Sequence, residues 1–328
     1  MKIALIFNLR PTPPAGVEAP DDVHEEFDAP DTIEAIATAL AVFGDVVALE
    51  ADRALPGRLA EGGFAFAFNI AEGHGRRCRE AHAAAVCELL HIPSSHSDAL
   101  TLALTLDKWM ARRVVAPDVA VAAARVVRED DDISLLEFAC PVVVMPNDEG
   151  SSKGVRDDSV AVTADEARTL IARVRALYGC PVLVDEYLPG AELTVGILGN
   201  GRDIRVLGMM EIAPAAPSPY FLYSVEAKRA CDERVRYYQP PRLDEATRLQ
   251  VEVSALKAYR LLGCRDVARL DFRLDATGRP HFLECNPLPG LNPETSDLVI
   301  LSRATMSHAQ LVQEIFRHAL RRYAMVPV

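Results

Sequence analysis

Residues 269–287 read Arg-Leu-Asp-Phe-Arg-Leu-Asp-Ala-Thr-Gly-Arg-Pro-His-Phe-Leu-Glu-Cys-Asn-Pro. Charged and apolar residues alternate strictly over 269–274, and a turn that contains Gly278 follows. The pattern predicts a β-hairpin. Its first strand presents its charged side chains on one face, and its return strand adds Glu284 and Asn286.

If the two polar faces coincide, Asp271, Glu284 and Asn286 converge as a set of oxygen ligands, with Arg269 beside them. Such a set suits Mg²⁺, which takes one or two carboxylates and fills its other positions with water and phosphate oxygens. The alternative is a solvated acidic hairpin, and the hairpin alone does not decide between the two.

Composition and charge favour a small-molecule substrate. At 328 residues the chain has room for two or three domains. A formal net charge of −12 and a pI near 5.2 argue against an extended surface for nucleic acid or for an anionic membrane. Seven scattered cysteines predict neither a disulfide framework nor a zinc site and favour a reducing cytoplasm.

The first hundred residues alternate between strand and helix, which predicts a parallel α/β sheet. The apolar run 3–7 is too short for a signal peptide and is expected to be the first buried strand, and no apolar segment reaches the length of a membrane span. Further strands are expected at 46–49 and 64–70, and helices over about 31–43 and 79–90. A capping-box spacing at Asp31 marks the start of the first helix. For the Pro/Ala-rich stretch 11–30, a solvated loop is the simpler interpretation of its acidic cluster, Asp21, Asp22, Glu25, Glu26 and Asp28.

The middle of the chain contains a loop whose composition suits phosphate binding. Residues 149–154 read Glu-Gly-Ser-Ser-Lys-Gly, and backbone N–H groups, hydroxyls and a lysine all bind phosphate oxygens. Flexible surface turns share this composition, so the signal is weak by itself. Before the loop we expect one helix over 98–115, with Lys108 as a solvated charge, and strands at 119–127 and 141–144.

The remaining segments lead up to the hairpin and away from it. Helix 164–178 and strand 181–187 are followed by strands at 193–198 and 204–212. The irregular stretch 213–241 is typical of an active-site cover or of a disordered segment. Helices are expected over 243–262 and 307–323.

Several motifs, in their order along the chain, resemble the ATP-grasp superfamily and, within it, the D-alanine–D-alanine ligase family. They are Phe-Asn-Ile-Ala-Glu-Gly at 68–73, Thr-Leu-Asp-Lys at 105–108, Glu-Gly-Ser-Ser-Lys-Gly at 149–154, Asp-Glu-Tyr-Leu-Pro-Gly-Ala-Glu at 185–192, Glu-Ala-Lys at 226–228 and Glu-Cys-Asn-Pro-Leu-Pro-Gly-Leu at 284–291. The likeness covers nearly the whole chain.

The resemblance implies an α/β protein with α+β character in its C-terminal half. An N-terminal parallel α/β domain (1–100) would precede the two ATP-grasp subdomains (101–188 and 189–328), with ATP between them. The enzyme would phosphorylate a carboxylate, and an amine would attack the acyl phosphate to form an amide or peptide bond. Its partners would be amino acids or amines, and whether the family's usual homodimer is kept stays open.

The resemblance also assigns roles to residues. Asp271, Glu284 and Asn286 would hold two Mg²⁺ ions that bridge the phosphates, and stretch 213–241 would be a lid that excludes water from the acyl phosphate. Arg269, Ser151 and Gly290 would act in catalysis, Arg269 on the oxyanion of the tetrahedral intermediate. The ATP-binding positions would be Lys108, Met145, Ser151, Ser152, Lys153, Asp185, Glu186, Leu188, Glu192 and Lys228. The substrate-facing positions would be Glu26, Glu72, Tyr223, Arg229, Asp297 and Leu298.

Departures from the family's pattern bear on ATP and on the second substrate. Met145 stands where the family has a lysine that contacts ATP. The absence of this lysine is expected to cost roughly 1.5–3 kcal/mol of binding free energy, or about one to two decades in affinity for ATP. At the substrate end, Ser94-Ser95-His96 replaces Tyr-Thr-Gly and Arg229 replaces a tyrosine. Asp297 replaces a serine that receives the second substrate's carboxylate, so we expect an acceptor without a carboxylate at that point.

Two other functions are compatible with the same motifs. A non-catalytic or regulatory ATP-grasp protein would bind nucleotide or a partner without turnover, which Met145 favours and the metal set with Arg269 opposes. A carboxylase of the same fold is the weaker alternative, because it usually needs further domains.

Overall fold

Three β-sheets follow one another along the chain in the computed structural model, which describes residues 1–11 and 20–325. The first is parallel, as predicted, with the order β2-β1-β3. Its elements are β1 (Lys2–Phe7), α1 (Pro30–Leu40), β2 (Asp45–Glu50), α2 (Leu55–Glu61), β3 (Phe66–Asn69) and α3 (Ala81–Leu89). The short helix α2 was not expected from the sequence.

Helix α1 begins one residue before the position that the sequence indicated. Its N-cap is Ala29, Pro30 occupies the first turn, and the Asp31 carboxylate accepts from the neighbouring Thr32 N–H at 2.9 Å. The predicted capping box at Asp31 is therefore wrong. Proline fits the first turn of a helix because its φ is already helical and its missing N–H would have no partner there.

The predicted helix over 98–115 is two helices, α4 (Ala99–Leu106) and α5 (Lys108–Val115). The chain breaks at Asp107, whose carboxylate accepts from Met110 N–H at 3.0 Å and from Asn147 Nδ2 at 2.8 Å. Lys108 therefore begins α5, and it is 8% exposed. The prediction of a solvated Lys108 is wrong because this break turns its side chain inward, where it pairs with Glu284.

The second sheet is antiparallel and has the order β4-β7-β5-β6. Its strands are β4 (Ala124–Val127), β5 (Val142–Pro146), β6 (Val160–Ala161) and β7 (Val182–Glu186). Helix α6 (Ala164–Tyr178) has the predicted bounds, since Thr163 and Glu166 form a capping box and Gly179 ends it at a φ of 57°.

The third sheet has five antiparallel strands in the order β10-β9-β8-β11-β12. They are β8 (Glu192–Leu198), β9 (Arg205–Pro214), β10 (Val235–Tyr238), β11 (Val267–Leu274) and β12 (Pro280–Asn286). The helices of this part are α7 (Val225–Arg229), α8 (Cys231–Arg234), α9 (Glu245–Leu261), α10 (Asp297–Ser302) and α11 (His308–Arg322). The stretch 213–241 is thus more regular than expected, because it contains α7, α8 and β10.

Two helices pack on a sheet other than their neighbour in sequence. In α11, Phe316 packs on Phe66 of the first sheet, with ring centroids 4.9 Å apart. In α5, Ala111 and Val115 join the core of the third sheet together with Tyr259. Each sheet falls within one of the ranges 1–100, 101–188 and 189–328, and the boundaries themselves stay a prediction. In the ranges that the structure covers, no helix combines the length and the apolar character of a membrane span.

Ser94, Ser95 and His96 lie in the core of the first sheet. Ser95 Oγ is 2.8 Å from His96 Nδ1 and accepts from Asn69 N–H at 3.0 Å. The His96 ring packs edge-on against Phe68. The backbone φ of His96 is 66°, in the left-handed region that glycine adopts without strain. This difference from the family's Tyr-Thr-Gly is thus accommodated by the core.

Acid is expected to destabilise the protein through His96. Burial lowers the pKa of His96 to about 3, so the fold holds the ring neutral while the unfolded chain protonates it near pH 6.5. This contribution is present above pH 6.5 and is lost as the pH falls, by about 2 kcal/mol at pH 5. Urea unfolding at about pH 7.5 and 5 should show a smaller loss for His96→Asn. Equal losses in both proteins would contradict the assignment.

Candidate active site

β11 and β12 form the predicted hairpin, and their polar faces coincide at Asp271 and Glu284. Asp271 lies opposite Glu284, and Arg269 lies opposite Asn286. A bulge follows between Asp271 and Phe272. On the other edge of β11, Thr194 of β8 donates from Oγ1 to Asp271 Oδ1 at 2.8 Å. The predicted oxygen ligands therefore lie on adjacent strands of one sheet.

Two cations contact these carboxylates. Arg269 Nη2 lies 2.8 Å from Asp271 Oδ2 and 3.6 Å from Glu284 Oε1, and Lys108 Nζ lies 3.2 Å from Glu284 Oε2. Burial raises the pKa of Asp271. Burial also acts to raise the pKa of Glu284, but the charges of Lys108, Arg269 and Lys228 outweigh it and lower that pKa to about 2. Glu284 is therefore ionised at neutral pH.

This donor set fits Mg²⁺. The ligands would be two carboxylates and the amide oxygen of Asn286, all of the hard oxygen type that Mg²⁺ prefers. Over residues 1–11 and 20–325, no third acidic, His or Cys side chain joins Asp271 and Glu284 in a metal-binding cluster. The remaining coordination positions would fall to water and to phosphate, which is the usual arrangement for Mg²⁺ beside a nucleotide.

These residues line a cleft between the second and third sheets that encloses about 910 Å³, open solvent at its mouth included. That is in the range of small-molecule sites. Fourteen of the residues singled out from the sequence line it: Lys108, Met145, Ser152, Lys153, Asp185, Glu186, Leu188, Glu192, Tyr223, Lys228, Arg269, Asp271, Glu284 and Asp297. Glu72, Ser151 and Asn286 line an adjoining cavity.

Two arginines of the cleft were not singled out from the sequence. Arg112 on α5 pairs with Asp185 and donates from Nε to Leu283 O at 2.8 Å. Arg273 on β11 lies 3.0 Å from a Glu192 carboxylate oxygen. Arg273 shares the polar face of the hairpin with Asp271, a signal that could have identified it, whereas nothing near Arg112 in the sequence does.

Lys228 and Glu192, two of the predicted ATP-binding residues, differ in how far neighbouring groups neutralise their charge. Burial raises the pKa of Glu192 to about 7, against the charge of Arg273. Burial and the charge of Arg269 lower the pKa of Lys228, whose Nζ lies 4.8 Å from the centroid of the Tyr223 ring. In the part of the chain that the structure covers, Lys228 has no carboxylate within 4.0 Å, so its ammonium can bind a phosphate.

The loop over 149–154, here called the phosphate loop, is held in an unusual backbone conformation. Ser151, Ser152 and Gly154 have φ values of 52°, 61° and 74°. Ser152 Oγ donates to Tyr223 O at 2.9 Å, which joins the loop to the segment before α7. Lys153 Nζ lies 2.7 Å from Glu26 Oε1 and 2.5 Å from Glu149 Oε2, so its charge is shared by two carboxylates.

The acidic segment over 20–28 is a structural partner of the phosphate loop and of α7. Arg79 donates from Nε and Nη2 to the two Glu26 oxygens at 3.0 and 2.9 Å, and Asp22 is fully buried and accepts from Gly154 N–H at 2.9 Å. Arg229 of α7 lies 2.5 Å from Asp21 and 2.6 Å from Glu25. The prediction of a solvated loop is wrong here because distant basic residues neutralise the cluster. Residues 12–19 of the predicted loop lie outside the described residues.

Asp297 occupies the first turn of α10 and lines the cleft. Its Oδ2 lies 3.4 Å from Arg269 Nη1, and its Oδ1 accepts from the Tyr223 hydroxyl at 3.2 Å. Tyr223 and Tyr237 share a hydrogen bond of 2.6 Å between their hydroxyls. Asp297 is 7% exposed, so the cleft contains a buried carboxylate next to Arg269.

Four residues that the resemblance assigned lie outside the lining of the cleft and of the adjoining cavity. Leu298 is buried in the core that the first and third sheets share. Glu26 and Arg229 are engaged in the contacts of the acidic segment. Gly290 is exposed in the connection between β12 and α10. The roles assigned to all of these residues stay predictions.

Comparison with known proteins decides the family. The profile described as D-ala D-ala ligase C-terminus matches residues 118–317. The D-alanine–D-alanine ligase of Citrifermentans bemidjiense is 33% identical over 275 residues, which cover 83% of this chain and 85% of the relative. The enzyme of that name from Anaeromyxobacter sp. is 35% identical over 266 residues, or 78% of this chain and 80% of the relative. The chain belongs to the D-alanine–D-alanine ligase family.

Solved structures show the fold that is expected of a D-alanine–D-alanine ligase family member. The Bacillus anthracis D-alanine–D-alanine ligase complexed with ATP superposes with a TM-score of 0.74 at 21% identity, covering 99% of each chain. The VanG D-Ala:D-Ser ligase of Enterococcus faecalis gives a TM-score of 0.71 at 18% identity, covering 97% of this chain and 99% of the other. The predicted ATP-grasp fold is confirmed, and family membership makes the protein an ATP-dependent carbon–nitrogen ligase.

Proposed function

We propose that the protein phosphorylates a carboxylate with ATP and Mg²⁺ and joins it to an amine that carries no carboxylate where it faces Asp297. The proposed acceptor rests on one observation, the buried carboxylate of Asp297 in the cleft, 3.4 Å from the Arg269 guanidinium. ATP-dependent ligation is the activity of the family, so the departure concerns the acceptor.

We assign the phosphates of ATP to the hairpin side of the cleft. Asp271, Glu284 and Asn286 would hold Mg²⁺ there, which supplies charge neutralisation and orientation of phosphate oxygens when bound. Lys228 would bind a phosphate oxygen with an ammonium that has no carboxylate partner among the residues covered by the structure. Lys108, which pairs with Glu284, would hold that carboxylate in place.

Arg269 would stabilise the oxyanion that forms when the amine attacks the acyl phosphate. Its guanidinium is nearly buried and already contacts Asp271, Glu284 and Asp297. A cation held in a fixed position before the reaction stabilises developing negative charge without reorganisation. Three carboxylates around one guanidinium therefore position Arg269 between the metal side and the acceptor side of the cleft.

The charge of Asp297 selects against acidic acceptors. Two unit charges of equal sign about 4 Å apart repel by roughly 4 kcal/mol at an effective dielectric constant of 20, and Arg269 offsets part of this. A neutral acceptor avoids the repulsion, and a cationic one gains attraction. The Tyr223 hydroxyl donates to the Asp297 carboxylate and is itself hydrogen-bonded to the Tyr237 hydroxyl, which holds the carboxylate in place.

A coupled assay of ADP formation over pairs of carboxylates and amines tests the proposal. The pairs should include D-alanine with itself, and amino-acid amides, peptides and simple amines as acceptors. We expect Mg²⁺-dependent ADP formation with acceptors that lack a carboxylate near the attacking amine. Turnover with D-alanine and itself alone would contradict the proposed acceptor.

Restoring a lysine at residue 145 is expected to strengthen nucleotide binding. Met145 lines the cleft, and the nearby Lys153 shares its charge with Glu26 and Glu149, so no free ammonium is expected to replace the missing one. Met145→Lys should lower the Kd of Mg-ATP by about ten- to a hundredfold. Calorimetry with a non-hydrolysable analogue measures this, with Met145→Leu as the control. A Kd that stays within about threefold of wild type would contradict the prediction.

Removing Arg229 is expected to uncouple ATP use from ligation. Its contacts with Asp21 and Glu25 join α7 to the acidic segment, and α7 belongs to the proposed lid over 213–241. Losing these contacts costs roughly 1 kcal/mol. This raises the ratio of open to closed lid by a factor of about five. Arg229→Ala should therefore form more ADP per amide product, because water reaches the acyl phosphate.

The matched control for Arg229 is Arg236→Ala. Arg236 lies in the same stretch, and among the described residues its side chain donates only to the backbone oxygens of Asp232 and Val235, which belong to that stretch. ADP and amide are quantified in the same reaction. An unchanged ratio in Arg229→Ala, or an equal rise in both variants, would remove Arg229 from lid closure.

We propose the cytoplasm as the compartment of this ligase. The seven cysteines all lie within the described residues and form no disulfide there, and the Sγ atoms of the buried residues Cys264 and Cys285 are 3.5 Å apart. Cysteines without disulfides are typical of proteins from reducing compartments.

A further inference from the structure

One buried arginine joins two segments of the cleft that are distant in the sequence. Arg273 of β11 lines the cleft and is 6% exposed. Its side chain contacts the segment over 187–192, which leads from β7 into β8, and the proposed lid over 213–241. A guanidinium is planar and carries five N–H donors, so it holds several acceptors in fixed relative positions, which the ammonium of a lysine does not.

The contacts with the first segment involve two of the predicted ATP-binding residues. Arg273 donates from Nε to Leu188 O at 2.6 Å, and its Nη1 lies 3.0 Å from Glu192 Oε2. Over residues 1–11 and 20–325, the other carboxylate oxygen of Glu192 accepts no hydrogen bond. Glu192 lines the cleft, so this oxygen is available to a donor on the nucleotide.

The position of Glu192 favours the ribose as that donor. Glu192 lies on the same face of β8 as Thr194, which donates to the Asp271 carboxylate on the metal side of the cleft. Two residues of a strand span about 7 Å. The ribose lies between the base and the phosphates and offers hydroxyl donors, whereas ionised phosphates offer only acceptors. A carboxylate at this distance from the metal side therefore suits the ribose.

The second set of contacts holds the proposed lid. Arg273 donates from Nη2 to Phe221 O at 2.8 Å and to the Tyr187 hydroxyl oxygen at 3.0 Å, and this oxygen accepts from Phe221 N–H at 3.1 Å. The Tyr187 ring packs edge-on against Tyr220, with ring centroids 5.1 Å apart. Both backbone groups of Phe221 are thus held, and the two residues after it line the cleft.

These contacts suit a role in the site better than a role in stability alone. A buried guanidinium gives up its hydration, so a buried ion pair often contributes little to the free energy of unfolding. The two side chains that Arg273 contacts, Tyr187 and Glu192, both line the cleft. Groups that are held in place before a ligand arrives lower the entropy that is lost on binding.

We propose that Arg273 is a positioning residue for the nucleotide, which presents Glu192 to the ribose hydroxyls and holds the start of the proposed lid at Phe221. This deepens the proposed function and rests on it for the position of ATP. Arg273 itself needs no contact with the nucleotide for this role. It acts through Glu192 on one side and through Phe221 on the other.

Two nucleotides test the action through Glu192 without turnover. Calorimetry gives the Kd of a non-hydrolysable ATP analogue and of its 2′,3′-dideoxy form, both with Mg²⁺. The wild type should bind the dideoxy form at least about tenfold more weakly, because hydrogen bonds to a charged acceptor are lost. Arg273→Met should reduce this ratio to less than about threefold. In a Glu192→Gln background it should have no further effect on the ratio, because the two residues act as one unit.

Trypsin tests the hold on Phe221 in the nucleotide-free protein. The proposed lid contains the cleavage sites Lys228, Arg229, Arg234 and Arg236. Tyr187→Phe removes the hydroxyl that joins Arg273 to Phe221 and leaves the pair with Glu192 intact. Cleavage within the lid should be at least about fivefold faster in Arg273→Met and in Tyr187→Phe, because cleavage follows the open population. Tyr187→Phe should keep the ribose ratio of the wild type.

The matched control is Arg279→Met, in the turn of the same hairpin. Arg279 is exposed, and within the described ranges its side chain donates no hydrogen bond. It should match the wild type in both experiments, and thermal unfolding scans check that each variant folds. If Arg273→Met does not fold, Tyr187→Phe and Glu192→Gln still test the two halves separately.

Three results would overturn the inference. They are a wild-type protein that binds both nucleotides equally, a ribose ratio that Arg273→Met leaves unchanged, and faster cleavage that is equal inside and outside the lid. The last result would show a purely structural role. Failure of the wild type to bind either nucleotide would instead count against the proposed function, and the trypsin experiment would still decide the hold on Phe221.

Discussion

Replacing Glu284 with glutamine is expected to reduce Mg²⁺-dependent ADP formation by about a thousandfold. Glu284 is ionised at neutral pH, lies opposite Asp271 across the hairpin and lines both the cleft and the adjoining cavity. Glutamine keeps the shape of the side chain and removes the charge, so the variant tests the carboxylate as a metal ligand. Asp271→Asn is expected to have the same effect from the opposite strand.

The control for Glu284→Gln is Glu294→Gln, which removes a carboxylate that is 86% exposed. ADP formation is measured against Mg²⁺ concentration, and a thermal unfolding scan checks that each variant folds. We expect wild-type rates for Glu294→Gln and a loss in Glu284→Gln that added Mg²⁺ does not restore. A rate within about tenfold of wild type for both Glu284→Gln and Asp271→Asn would remove the hairpin from the metal site.

Replacing Asp297 with serine is expected to change which acceptor the ligase uses. The substitution removes the buried carboxylate that faces Arg269 and Tyr223. For an acceptor with a carboxylate, kcat/KM should rise by about tenfold or more, because a repulsion of a few kcal/mol is relieved. For a cationic acceptor it should fall, because an attraction is lost.

Two further variants separate charge from shape at residue 297. Asp297→Asn keeps the shape and should act like Asp297→Ser, whereas Asp297→Glu keeps the charge and should retain the wild-type preference. Initial rates are measured with one carboxylate and with acceptors of each charge. If Asp297→Asn leaves the preference unchanged, the charge of Asp297 does not select the acceptor.

The hairpin could be predicted because its signal is local. Strict alternation over 269–274 fixes which side chains share a face, and a short turn brings the return strand back in register. The turn places Phe272 opposite Phe282, but Asp271 comes to lie opposite Glu284 only because of the bulge between Asp271 and Phe272, which the sequence did not reveal. Helix α6 could be predicted for the same reason, since its capping box and its final glycine are both neighbours in sequence.

The features that the sequence did not reveal depend on partners that are far apart in the chain. Arg229 and Asp21 are separated by 208 positions, and nothing near either residue indicates the other. The break at Asp107 depends on Asn147, which accepts from Lys108 N–H and donates to the Asp107 carboxylate. The predictions that Lys108 and the acidic segment are solvated were wrong for the same reason. Both are held inside the protein by contacts with residues that are distant in the sequence.

The most direct test of the account compares two acceptors that differ only in their carboxylate, D-alanine and D-alanine amide. Each is offered as acceptor with the same carboxylate substrate, ATP and Mg²⁺, and amide product and ADP are quantified together. We expect D-alanine amide to have a kcat/KM at least about tenfold higher, and Asp297→Ser to reduce or reverse this preference. Equal or better use of D-alanine by the wild-type protein would contradict it.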